Sequence, residues 1–89
     1  MTAQRSKAEV SAICRLAGDR NRRMHEIMPV SGPWPAAGII AIHALERAIT
    51  NRYARKGSNE AKYNALRDAI ALADAEIDKY HQSVSEEKL

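Results

Sequence analysis

Residues 59–80 read NEAKYNALRDAIALADAEIDKY, and this stretch decides the fold. Tyr63, Leu66, Ile70, Ala73, Ile77 and Tyr80 follow one another at intervals of 3, 4, 3, 4 and 3. That spacing returns a side chain to the same side of an α-helix at every turn and makes a seam for packing against other helices. Ser58 supplies an N-terminal cap. A helix over 58–82 is expected, with 83–89 as a frayed tail.

The same period continues upstream. Ser6 and Glu9 have capping-box spacing, and Val10, Ile13, Ala17, Met24 and Ile27 or Met28 recur after them, so a helix over 6–28 is expected. Gly18-Asp19 is its weak point; a continuous helix is the first reading and a break there the alternative. Pro29 ends it. Val30 to Pro35 reads as a loop, in which Met28, Gly32 and Trp34 each precede a proline and are pushed out of the helical region. Pro35 suits the first position of a helix over 35–56 that Gly57 terminates. Small residues at Gly38, Ala41, Ala44 and Ala48 stand beside Ile40, Leu45 and Ile49, the pattern of a central helix approached closely by its neighbours. No strand alternation, internal repeat or low-complexity run is present. The expectation is an all-α, single helical domain over 1–89: a small three-helix bundle, or a helical hairpin plus a further helix, completed by dimerisation.

Composition favours that completion. The chain has 89 residues, no Phe, one Trp and three Tyr, so its core is small. Cores of that size rarely contribute more than about 3–5 kcal/mol, which makes a homodimer the expected state. Cys14 is the single cysteine and excludes an internal disulfide. The longest apolar run, Ala36 to Leu45, is interrupted by His43 and is too short to span a membrane. Met1 to Lys7 lacks the apolar stretch of a signal peptide, and a cytoplasmic protein is expected.

Charge is unevenly spread. Residues 1–28 carry +3, residues 43–67 carry +4 and residues 68–89 carry −4, within a net +3. Either the acidic last helix neutralises its basic neighbours or the basic faces meet nucleic acid. The candidate binding residues are Arg15, Arg20, Arg22 and Arg23 on the first helix, with Arg47, Arg52, Tyr53 and Arg55 toward the end of the second. Tyr53 among the arginines could stack on a base. Trp34, between two prolines, either covers the end of the bundle or anchors a protein partner. His43 reads as a hydrogen-bonded histidine at the helix–helix boundary, with a general base or RNA contact as the functional alternative. His25, His43 and His81 have no second ligand at metal-binding spacing, and no phosphate-cradling glycine loop occurs, so neither a metal nor a cofactor is expected.

The run from Trp34 to Ile49, continued through Asn51 to Ser58 and Tyr63 to Leu66, resembles the central helix and turn of small HEPN-type helical proteins. The resemblance covers residues 6–75. It implies helical dimerisation and, in active members, a metal-independent ribonuclease with an arginine followed four to six residues later by a histidine. Arg55 stands in a suitable place, yet Lys62 or Tyr63 occupies the histidine position, and the next histidine is His81. The implied member is therefore non-catalytic. The leading functional expectation is a non-enzymatic interaction or regulatory protein that binds a larger macromolecule, as a phage- or plasmid-type inhibitor or a toxin–antitoxin-like accessory would. A nucleic-acid-binding module is the alternative, followed by a degenerate HEPN-type ribonuclease using Arg55 and His43.

Overall fold

A computed structural model describes residues 5–28, 33–54 and 56–87. The first helix, α1 (Lys7–Ile27), begins at the expected capping box. Glu9 N donates to Ser6 Oγ at 3.1 Å, and Ser6 N donates to Glu9 Oε1 at 3.2 Å. The helix passes unbroken through Gly18-Asp19. Gly18 faces open space, so its only penalty is propensity, while Ala17 beside it is fully buried and holds the turn against the core. Met28 is extended (φ −77°, ψ 147°), as its place before a proline predicts, and its N–H closes onto Met24 O. Pro29 and Gly32 lie outside the described residues.

Pro35 sits just ahead of the second helix, α2 (Ala36–Asn51), rather than at its first position. The helix also stops at Asn51 and not at Lys56. Beyond it the chain winds more tightly, with Arg52 N donating to both Ala48 O and Ile49 O. Tyr53 N then donates to Thr50 O at 3.2 Å, and Ala54 N to Asn51 O at 3.0 Å. Lys62 Nζ donates to Ala54 O at 2.7 Å and satisfies the carbonyl where the winding ends. Gly57 then takes a left-handed φ of 99°, and Ser58 Oγ accepts from Ala61 N at 3.1 Å to start the third helix. This helix, α3 (Asn59–Glu87), continues past residue 82, so the tail expected to fray is helical as far as Glu87. No glycine or proline follows Gly57, so nothing in the sequence interrupts it.

Cross-links between α1 and α3 advance in step. Arg5 Nε lies 3.3 Å from Glu60 Oε2, Arg20 Nε 2.6 Å from Asp74 Oδ1, and Arg23 Nη2 3.3 Å from His81 Nε2. The two helices are therefore parallel. α2 runs antiparallel to both: Arg52 beyond its end reaches Ser11 near the start of α1, and Gly38 near its beginning faces Met28. The result is an all-α, three-helix bundle in which α1 makes its most extensive packing with α3.

Alanines shape the core. Val10, Ile13, Cys14, Ala17 and Met24 meet Ala41, Ile42, Leu45 and Ala48 of α2, and Leu66, Ala69 and Ala73 of α3. Leu45, Leu66 and Met24 are its largest fully enclosed side chains. The α3 seam serves the bundle itself: Tyr63, Ile70 and Ile77 pack on this core, whereas Tyr80 at the end of the expected seam is exposed. On α2 the closely approached stripe is Gly38, Ala41, Leu45 and Ala48, with Ile42 buried; Ile40, expected beside the small residues, points outward.

Candidate functional site

Most of the arginines singled out for a nucleic-acid face already have protein partners. Arg20 is held by Asp74 across the α1–α3 boundary. Arg22 lies near Asp19 and Glu26 of its own helix, and Arg23 near Glu26 and His81. The acidic last helix thus neutralises part of the basic first helix within one subunit. Arg15 and Arg47 are exposed and have no ion pair among the described residues. Arg52 is half-buried. Its Nη2 donates to Ser11 Oγ at 2.9 Å, its Nη1 donates to Tyr53 Oη at 3.2 Å, and its guanidinium sits 4.9 Å from the centre of the Tyr53 ring. Tyr53 is therefore already stacked on a cation, with most of its ring open to solvent. Arg55 lies outside the described residues.

Trp34 packs against the core and meets the His25 ring edge-on at 5.3 Å, in the position that covers one end of the bundle. His43 departs from its expected place. It is exposed on the outer face of α2, because the buried stripe at Gly38, Ala41, Ile42, Leu45 and Ala48 lies on the opposite side of the helix. Glu46, Arg47, Thr50 and Asn51 surround it in a shallow surface depression. Among the described residues no three His, Cys, Asp or Glu side chains are grouped to hold a metal ion, and no helix is long and apolar enough to cross a membrane.

The outer face of α2 carries exposed apolar side chains. Ala36, His43 and Thr50 run along its centre at seven-residue spacing, flanked by Ile39, Ile40, Glu46 and Arg47. Ile40 is 59% exposed and Ile39 40%. Neither Glu46 nor Arg47 has an ion-pair partner among the described residues. Sequence reading missed these isoleucines as surface groups because α2 is apolar around most of its circumference. Three isoleucines at 39, 40 and 42 cannot all enter one core, and period alone does not choose among them. No family model, curated protein or solved structure matches the chain.

Proposed function

We propose that the chain is a non-enzymatic interaction protein that associates with a second copy of itself through the outer face of α2. The observation carrying this reading is the exposure of Ile39 and Ile40 on the solvent side of a helix whose other side is fully used by the core. Exposed apolar surface of this kind gains free energy when covered.

Self-complementarity selects the occupant. When α2 packs antiparallel on its two-fold mate with the symmetry axis between positions 46 and 47, His43 of each copy lies opposite Thr50 of the other along the centre of the face. That arrangement covers the apolar part of the face around Ile40, one of the most exposed large side chains. An isologous contact of this type closes as a dimer.

Light scattering of the full chain at micromolar concentration is the test, with a dimer mass as the expected result. Ile40→Glu is expected to give a monomer of unchanged helicity. A wild-type chain that stays monomeric throughout overturns the proposal.

A further inference from the structure

At the end of the bundle where α1 and α3 begin, Lys7, Val10, Ser11, Arg52, Asn59 and Lys62 line a cleft of about 190 Å³. Three of the six are cations, two more carry neutral polar groups, and none is a carboxylate. Among the described residues none of the three cations is in an ion pair. The carboxylates that could neutralise the cleft are engaged elsewhere. Arg5 binds Glu9 Oε2 at 3.0 Å and Glu60 Oε2 at 3.3 Å while lying 4.0 Å from the centre of the Tyr63 ring.

The cleft is held in shape by its own hydrogen bonds. Arg52 is fixed by Ser11, Lys62 by Ala54 O, and Asn59 Nδ2 by Arg5 O at 3.0 Å. Each bond uses only part of its donor. An ammonium has three N–H groups and a guanidinium five, so several donors remain for a ligand. Lys7, on the first turn of α1, is exposed and brings its whole ammonium.

We infer that this cleft binds a phosphomonoester, the terminal phosphate of a nucleotide or of a phosphorylated chain end. Its charge at neutral pH approaches −2, and its three terminal oxygens accept from several directions. Three cations drawn from three segments of the fold match that charge and that spread. A planar monoanionic carboxylate would leave two of the cations uncompensated. The cleft draws on the ends of all three helices and uses none of the outer α2 positions proposed for self-association, so the two proposals stand or fall separately.

The experiment is amide-resolved NMR of the full chain, titrated with inorganic phosphate at constant ionic strength set by chloride. Saturable shifts are expected at Lys7, Ser11, Arg52, Asn59 and Lys62. A nucleoside 5′-monophosphate is expected to compete for the same residues. A short oligonucleotide is expected to bind more tightly with a 5′-phosphate than with a 5′-hydroxyl. Lys7→Gln and Lys62→Gln are each expected to weaken phosphate binding about tenfold, the scale of one charge-assisted hydrogen bond. Lys7 has no partner among the described residues, so its variant tests the site without disturbing the fold. Ile40→Glu is expected to bind phosphate as the wild type does. Absence of saturable shifts overturns the inference, as does undiminished affinity in Lys7→Gln. Oligonucleotide binding that ignores the terminal phosphate overturns it in favour of a backbone-tracking surface.

Discussion

Arg20 Nε lies 2.6 Å from Asp74 Oδ1, tying the middle of α1 to the middle of α3 across 54 positions of sequence. The side chains are 37% and 44% exposed, so water and salt screen much of their attraction. The pair fixes the alignment of two parallel helices more than it stabilises them. A double-mutant cycle with Arg20→Gln and Asp74→Asn in urea denaturation is expected to give a coupling below about 1 kcal/mol. In molar salt that coupling should fall toward zero.

Gly18 and Gly57 are expected to respond to alanine with opposite signs. At Gly18 a β-carbon would meet nothing within 4 Å in the middle of an exposed helical turn. Gly18→Ala should therefore raise stability by about 0.5–1 kcal/mol. Gly57 also faces open space, but its φ of 99° is one that a side chain disfavours. Gly57→Ala is expected to lower stability by about 1 kcal/mol. Urea midpoints of the two variants, moving apart from the wild type, check both.

Leu45 and Leu66 are completely enclosed in a core that has no phenylalanine to spare. Truncating either to alanine removes packing that neighbouring alanines cannot replace. A loss of about 2–5 kcal/mol is expected for each, which is comparable to the whole stability of a bundle this small. Circular dichroism is expected to show one or both variants largely unfolded at room temperature.

Glu9 has its carboxyl held below the ordinary range, first by the side-chain hydrogen bond from Arg5 and then by the backbone N–H of Ser6. A depressed folded-state value means that the contribution is present above the unfolded carboxylate range and disappears as pH falls through the folded value. The start of α1 should therefore loosen at acid pH. Replacing Arg5 with Gln removes the larger cause, so the Glu9 titration followed by NMR should move upward toward an ordinary glutamate.

The seams and caps were legible in the sequence because they depend on local spacing. Ser6 with Glu9, Ser58 before Asn59, and the α3 seam around Leu66 and Ala73 each needed only a few neighbouring residues to be read. Helix ends were less legible. Gly57 does adopt the left-handed conformation of a helix stop, yet α2 has already ended at Asn51 and tightened past Arg52, and a bond from Lys62, eight positions beyond Ala54, satisfies the Ala54 carbonyl. Facing was least legible on α2, where Ile40 and Ile42 differ only in which side of the helix Leu45 and Ala48 select. The cleft lined by Lys7, Ser11, Arg52, Asn59 and Lys62 gathers residues from three segments. No local pattern joins them; only the parallel placement of α1 and α3 does.

That parallel placement also sets the order in which the chain can close. The main partner of α1 is not the next helix but the last, so its principal contacts form across a loop of some fifty residues. Helical bundles fold fast when contacts are local, and long loops slow the search. During synthesis α1 and α2 leave the ribosome before α3, which brings Leu66, Ala69 and Ala73 to the shared core, exists. The nascent first half is thus expected to remain adhesive until Leu66, Ala69 and Ala73 arrive, and the final helix acts as the latch.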